Sequence, residues 1–183
     1  ALDPIRSRQT IHLLGVAEQG AARIRRVTND LAEALENDLL LLIVPAYAHK
    51  AFAELCAPHL RDGHQLVITP GTLGALEFAR IVRAAGNQHD IAFAETDTAP
   101  YVCRKTAPDT ATIWGVVSGL GLGVYPASKT ASVVAALSDV FTTTGRNGAP
   151  SAVTNYPHVI ACGLSAMNPV VHPAGVLMNA GRV

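Results

Sequence analysis

The chain has 183 residues, a length that suits one domain, or one domain and part of another. Hydrophobic residues make up 49% of it and charged residues only 15%, and 14 Lys and Arg balance 14 Asp and Glu. This balance argues against a nucleic-acid binder, which would show a basic face. The three cysteines are widely spaced and form neither a disulfide framework nor a zinc-ligand pattern, so we expect a cytoplasmic protein that binds no metal.

Charge is concentrated in the first part of the chain. Residues 1–109 carry 24 of the 28 Asp, Glu, Lys and Arg side chains, and none lies between Arg146 and Arg182. Because a solvent-facing segment rarely lacks charge for so long, we expect residues 147–181 to be buried. The shift in composition near Pro150 predicts one domain over residues 1–150 and the start of a second over 151–183. The first residues do not predict a charged-then-apolar leader, and the apolar run 39–46 is too short to span a bilayer, so no membrane partner is expected.

Strand and helix signals alternate over the first 110 residues. The predicted strands cover residues 23–28, 38–44, 65–69 and 91–94, and the predicted helices cover residues 31–36, 47–60 and 73–85. Asp30 is placed to cap the first helix, with Glu33 three residues later as in a capping box. The run 38–44 is continuously apolar, which is typical of a strand buried on both faces. This alternation predicts crossover units and a parallel sheet, that is, an α/β fold.

The pattern changes beyond Pro100. Residues 101–105 and 112–117 predict a hairpin at the edge of the sheet, and residues 128–141 predict a helix capped by Ser128. Residues 156–166 and 173–180 both predict helices. They would begin an α-helical second domain.

The carboxyl ends of the predicted parallel strands are where a ligand is expected, because open parallel sheets bind ligands there. These ends carry Val44, Pro45 and Ala46, then Pro70 and Gly71, then Glu95 and Thr96. Proline and glycine would keep bulky side chains away from a flat cofactor, or they end the strands and do nothing more. No G-x-G-x-x-G phosphate loop occurs in the chain, so by itself it is expected to bind a dinucleotide poorly.

Two groups of polar residues are candidates for chemistry. His172 lies between a Pro-Val-Val segment and Pro173, and an imidazole suits proton transfer near neutral pH; the alternative is a structural histidine in a core. Glu95, Thr96, Asp97 and Arg104 form a polar cluster that could recognise carboxylate and amine groups. The alternative there is an ion pair between Glu95 and Arg104 on neighbouring strands.

One further histidine lies near the first strand end. His49 follows Pro45 and could approach a cofactor, but a position on the helix surface is expected.

Several segments, taken in order, resemble the octopine/opine dehydrogenase family. They are VTND at 27–30, VPAYAH at 44–49, PHLRDG at 58–63, ET at 95–96 with PYVCR at 100–104, and NPVVHP at 168–173 with NAG at 179–181. The resemblance implies a Rossmann-like NAD(P)-binding domain followed by an α-helical catalytic domain. It also implies an oxidoreductase acting on CH–NH donors, which reversibly condenses an α-keto acid with an amino acid using NAD or NADP.

The resemblance assigns roles to individual residues. His172 would be the catalytic acid/base. The other assignments are substrate contacts for Glu95, Thr96, Arg104 and Asn168, and the lining of the cofactor cleft for Val44, Pro45, Ala46, Pro70 and Gly71. The partners implied are small molecules, with a homodimer possible. Because the family's glycine-rich loop and most of its helical domain are missing, the chain is expected to be an inactive fragment of a larger enzyme.

Two alternatives stay open at this stage. Another two-domain dehydrogenase, of ketopantoate or glycerol-3-phosphate type, would usually rely on a lysine in its second domain. Here the only lysine beyond Lys105 is Lys129, and this favours the opine type. A truncated, non-catalytic domain used for dimer or partner binding would account for the charge-free segment.

Overall fold

The computed structural model describes residues 3–17, 19–141 and 152–166. The strands in these ranges are β1 (Thr10–Gly15), β2 (Gly20–Arg23), β3 (Leu39–Leu42), β4 (Gln65–Ile68), β5 (Ala92–Thr96), β6 (Tyr101–Ala107), β7 (Thr110–Val116), β8 (Gly119–Tyr125) and β9 (Ala152–Asn155). The helices are α1 (Asp3–Arg8), α2 (Leu31–Ala34), α3 (His49–Cys56), α4 (Gly74–Ala84), α5 (Thr130–Val140) and α6 (Val159–Ser165).

A five-stranded sheet in the order β3-β4-β5-β8-β9 forms the centre of the fold. Strands β3, β4 and β5 are parallel to one another, β8 is antiparallel to β5, and β9 is parallel to β8. Since α3 and α4 connect the three parallel strands, the predicted α/β fold with a parallel sheet is confirmed.

Helices cover both faces of this sheet because side chains alternate along each strand. Ile68 and Phe93 point into one core with α3 and α4, whereas Val67 and Ala94 belong to a second core on the opposite face. The second core is completed by residues of α5, including Leu137. The strands predicted at 65–69 and 91–94 therefore contribute side chains to two cores at once.

The start of α2 follows the predicted cap. The Asp30 carboxylate accepts hydrogen bonds from the backbone N–H groups of Ala32 (2.9 Å) and Glu33 (3.3 Å), which confirms Asp30 as the N-cap. In a capping box the Glu33 side chain would accept a hydrogen bond from the Asp30 N–H. Here the Asp30 N–H donates to the Thr28 hydroxyl instead, and Glu33 pairs with Arg26 at 3.0 Å.

The structure corrects the interpretation of the run 38–44. Leu41 is 38% exposed and Ile43 is 70% exposed, so the run is not buried on both faces. The reason is the position of β3 at the edge of the described sheet, where only one neighbouring strand pairs with it.

The predicted edge hairpin exists, but in another sheet. Strands β6 and β7 pair antiparallel within a four-stranded sheet of order β2-β1-β7-β6, where β7 runs parallel to β1. The position beside β5 is taken instead by β8. Strand β1 was not predicted, and β2 ends at Arg23, where the strand predicted over 23–28 was to begin.

Two other element ends differ from the prediction. A 3-10 turn over Ala127–Lys129 precedes α5, so Ser128 is not its cap. After residue 150 the chain first adds β9 to the five-stranded sheet and then forms α6, which confirms helix within 156–166. The domain boundary at 150 stays a prediction, and the helix predicted over 173–180 lies outside the described residues.

Burial of the charge-poor segment can be followed over 153–166. Helix α6 buries Val159 and Cys162 against the sheet, while Ile160 is 48% and Leu164 is 73% exposed. None of the described residues covers the opposite face of α6, and its predicted burial stays a prediction. None of the helices in the described ranges combines the length and apolar character that a bilayer crossing requires.

Candidate functional site

The carboxyl ends of β3, β4 and β5 converge at one edge of the sheet, as predicted. The Thr69 N–H donates to the carbonyl of Leu42 at 3.1 Å, and the Gly71 N–H donates to the carbonyl of Thr96 at 3.0 Å. The predicted pairs Pro70-Gly71 and Glu95-Thr96 are thus direct neighbours, although they are 24 residues or more apart in the chain.

The end of β3 presents an apolar rim. Val44 is half-buried, whereas Pro45 and Ala46 are exposed and begin a 3-10 turn. Ile43 is 70% exposed and Tyr47 89% exposed on either side of them. These residues form an exposed apolar surface beside the strand ends.

Glu95 is the buried carboxyl group at the centre of the site. The residue is fully buried, and its two carboxylate oxygens accept backbone hydrogen bonds from Leu73 (2.8 Å) and Ala75 (2.9 Å). Burial raises the pKa of this carboxyl above its usual range, against the lowering effect of the two N–H donors. Glu95 therefore satisfies two of the N–H groups that open helix α4, which leave no intrahelical partner of their own.

The turn at residues 70–73 joins β4 to α4 in a strained conformation. Thr72 and Leu73 have φ angles of 54° and 67°, in the left-handed region that non-glycine residues rarely adopt. A Cβ at Gly71 would lie 2.1 Å from the Cβ of Glu95, so only glycine fits this close approach. The 70–73 turn therefore contacts Glu95 in two ways: Leu73 donates a hydrogen bond to its carboxylate, and Gly71 packs against its Cβ.

His49 was expected on a helix surface, and the structure corrects this. It is 2% exposed, and a Cβ at Gly74 would lie 2.6 Å from its Nδ1, which places the ring against the start of α4. Burial lowers the pKa of His49 below its usual value, against opposing effects of the Val44 carbonyl and Glu77. The signal was present in the sequence, because His49, Ala53 and Cys56 follow the i, i+4, i+7 spacing of a buried helix face.

Helix α6 covers the other side of Glu95. The Cys162 thiol donates to the Glu95 carbonyl at 3.4 Å, and burial raises the pKa of that thiol to about 12. A Cβ at Gly163 would lie 2.7 Å from Glu95 Oε1 and 2.5 Å from Leu73 Cδ2. Sequence reasoning missed these residues, because a single glycine or cysteine in a short helix carries no signal of what it faces.

A second carboxylate fixes the segment that leads to α6. Asp97 accepts from the Gly121 N–H at 3.0 Å and from the Tyr156 hydroxyl at 3.1 Å. Burial and the neighbouring Asp97 carboxylate raise the pKa of Tyr156. This arrangement ties residue 156, at the end of β9, to the carboxyl end of β5.

The remaining predicted residues are distributed less compactly. Thr96 is fully buried and its hydroxyl donates to the Thr98 carbonyl at 2.8 Å. Arg104 is exposed on β6, in the other sheet, where it donates to the Cys103 carbonyl, so the ion pair with Glu95 considered above is not formed. Asn168 and His172 lie outside the described residues.

Other features of the described ranges do not add to the site. No group of three or more His, Cys, Asp or Glu in these ranges is arranged to hold a metal ion. A surface cleft lined by Pro58, Leu60, Ala85 and Asn87 lies at the opposite end of the sheet, beside the C-terminus of α4. That cleft is therefore separate from the strand ends.

The sequence is similar to that of a known enzyme along nearly its whole length. It is 29% identical over 180 residues to an opine dehydrogenase from Arthrobacter sp. (strain 1C), covering 97% of this chain and 47% of that protein. The chain thus spans a little under half the length of this relative. No protein-family model matches the chain. The resemblance to opine dehydrogenases that the motifs predict is confirmed.

Solved structures share the fold. Octopine dehydrogenase with NADH and L-arginine superimposes with a TM-score of 0.76 at 19% identity, covering 96% of this chain and 43% of that one. Yersinopine dehydrogenase with NADP+ gives 0.75 at 16%, covering 96% and 43%. A putative ketopantoate reductase from Ralstonia solanacearum gives 0.62 at 18%, covering 97% and 57%. These likenesses confirm the Rossmann-like α/β fold.

Proposed function

We propose that this chain is part of an NAD(P)-dependent opine-type dehydrogenase, which reductively condenses an α-keto acid with an amino acid and runs the reverse oxidation. The observation that carries the proposal is the similarity to opine dehydrogenase along nearly the whole chain. The geometry agrees with it, because three parallel strands end together at an edge built from proline, glycine and apolar residues.

The residues at this edge fit a dinucleotide cofactor. Pro45 and Ala46 would receive one face of a flat ring on the exposed apolar rim. Half-buried Pro70 would lie beside it, and Gly71, buried against Glu95, would hold the turn in place there. Val44 supports this rim from the core side, where it packs against buried residues. When bound, NADH or NADPH supplies the hydride for reduction.

The substrate residues stay predictions of the family resemblance. His172 would accept a proton in the oxidative direction and donate one in the reductive direction, and Asn168 would lie beside it. Thr96 and Arg104 would serve the amino-acid substrate. Glu95 was assigned to the same group, and its contacts in the described chain are with the backbone of the 70–73 turn and α4.

The proposal is tested by His172→Ala in the complete enzyme. Turnover with NADH or NADPH, an α-keto acid and a panel of amino acids should fall by roughly 10²–10⁴-fold, the range for losing a general acid–base group. Cofactor affinity, measured by quenching of NAD(P)H fluorescence, should hardly change. A structural histidine would instead lower the thermal midpoint and leave turnover per folded molecule intact, and this result would remove His172 from the mechanism.

A ketopantoate-type reductase is the second candidate, since a fold of that class also superimposes on this chain. Lys129 does not supply the lysine of that class at the strand ends, because its Nζ donates to Asp90 Oδ2 at 2.6 Å, next to the amino end of β5. Assaying ketopantoate with NADPH, in place of keto acid plus amino acid, separates the two. A homodimer stays a prediction that light scattering on the complete enzyme would test.

A further inference from the structure

We infer that Glu95 is a positioning residue, which holds the 70–73 turn at the cofactor-facing edge and seats helix α6 against it. The inference rests on the function proposed above. It adds that Glu95 acts by holding the backbone of the turn, and not by contacting the substrate. It is carried by three contacts of one fully buried carboxylate.

The first two contacts fix the turn. Both oxygens of Glu95 are engaged by N–H groups of the chain segment that follows Pro70, at 2.8 Å from Leu73 and 2.9 Å from Ala75. Leu73 has a left-handed φ of 67°, and a branched side chain adopts that backbone only when its surroundings impose it. The hydrogen bond at its own N–H is the contact best placed to impose it, since it acts on the peptide that determines φ.

The third contact reaches the neighbouring helix. Gly163 of α6 approaches so closely that an added Cβ would lie 2.7 Å from Glu95 Oε1 and 2.5 Å from the Leu73 side chain. The Cys162 thiol, one residue earlier, donates to the Glu95 carbonyl. Glu95 is therefore the meeting point of β5, the 70–73 turn and α6, and α6 is the last described element before the segment that carries His172.

Through these contacts Glu95 would affect cofactor binding without touching the cofactor itself. Gly71 donates to the carbonyl of Thr96, so the turn already lies on the end of β5 through one backbone bond. The Glu95 carboxylate adds the two bonds that orient residues 72–75 relative to that end. Removing one of the Glu95 bonds would loosen residues 72–75 within the turn whose backbone would face the dinucleotide.

The test compares Glu95→Gln with Glu77→Gln in the complete enzyme. Glutamine keeps the shape of Glu95 but replaces one acceptor oxygen with an NH2 group, which opposes either the Leu73 or the Ala75 N–H. Glu77 lies exposed in the first turn of the same helix and is the matched control. Amide hydrogen exchange at Leu73 and Ala75, NAD(P)H dissociation constants and steady-state parameters are measured well below the thermal midpoint.

We expect exchange at these two amides to rise about 10- to 100-fold in Glu95→Gln, as for loss of a hydrogen bond to a charged group. The dissociation constant for the cofactor should rise about tenfold, while Glu77→Gln changes neither quantity. Unchanged cofactor affinity in a folded Glu95→Gln enzyme overturns the inference. So does a rise in KM for the amino acid alone, because that pattern belongs to a direct substrate contact.

A second variant keeps the inference testable if Glu95→Gln fails to fold. Gly163→Ala leaves the carboxylate in place and forces α6 away from it, whereas Gly119→Ala adds a Cβ with nothing within 4 Å and serves as control. We expect Gly163→Ala to raise the cofactor dissociation constant or lower kcat several-fold, and an unaltered enzyme contradicts the seating of α6. If the wild-type enzyme itself binds neither NADH nor NADPH, the proposed function fails first.

Discussion

Two buried histidines should make the stability of this fold fall as the pH is lowered. His49 is 2% exposed and His64 is 1% exposed, and the Nε2 atom of each lacks a hydrogen-bond partner among the described residues. Burial lowers the pKa of both imidazoles below 6.5 in the folded state. Below about pH 6.5 the two histidines therefore bind protons more readily in the unfolded chain than in the folded chain.

The sign and size of the effect follow from this difference in bound protons. The stability contributed by each histidine is fully present above the unfolded pKa, and it is lost as the pH falls toward the folded pKa. One proton corresponds to a slope of at most about 1.4 kcal/mol per pH unit. Glu95 acts in the opposite direction, because its pKa is raised and its stabilising effect is lost as the pH rises through the folded value.

To separate the histidine contribution from that of Glu95, the assay compares the slopes of histidine variants with the slope of the wild type. Urea unfolding of the wild type, His49→Gln, His64→Gln and the exposed control His59→Gln is measured from pH 8 to pH 5.5. Each core variant should lose stability at pH 8 and show a slope shallower than the wild type by up to about 1.4 kcal/mol per pH unit. Curves for His49→Gln and His64→Gln that run parallel to the wild type below pH 7 would refute the reasoning.

Two further changes test the packing around the site. Gly71→Ala places a Cβ 2.1 Å from the Glu95 Cβ, far inside the usual contact distance of about 3.5–4.0 Å, and should cost about 3 kcal/mol of unfolding free energy, whereas Gly119→Ala should change it by less than about 0.5 kcal/mol. Equal stability of the two alanine variants would contradict the close approach. Tyr156→Phe removes the hydrogen bond to Asp97 and should cost about 1–2 kcal/mol, seen as faster exchange of the Tyr156 amide, which donates to the Leu122 carbonyl. The exposed Tyr125→Phe is its control, and the same exchange rate in both variants would speak against the Asp97 contact.

Local features of the sequence determined much of the architecture. Residues 65–69 and 91–94 predict strands, and β4 and β5 lie between two cores because their side chains are apolar on both faces. Asp30 predicts the start of α2 because capping involves only N–H groups two and three residues away. The strand ends at Pro45, Pro70 and Thr96 meet at one edge because parallel crossovers place all carboxyl ends together.

Tertiary structure alone decided which strands pair at the sheet edges. The local sequence of β6 and β7 predicts an edge hairpin but not the sheet to which it belongs. In the fold β8 pairs with β5, and β7 pairs with β1 in the other sheet. Side-chain periodicity is the same in either arrangement. The choice depends on which edges the rest of the chain leaves open, and no segment of ten residues contains that information.

The same limit applies to the residues that hold the site together. Glu95 lies 22 residues from Leu73 and 68 residues from Gly163 along the chain, and it meets both only after two crossovers and the return of α6 to the sheet. The sequence gives its charge and its place at the end of a strand, which suggest a group aimed at a ligand. Folding instead buries it among backbone N–H donors, because a carboxylate excluded from water must find hydrogen bonds, and the open N-terminus of α4 is the nearest source of them.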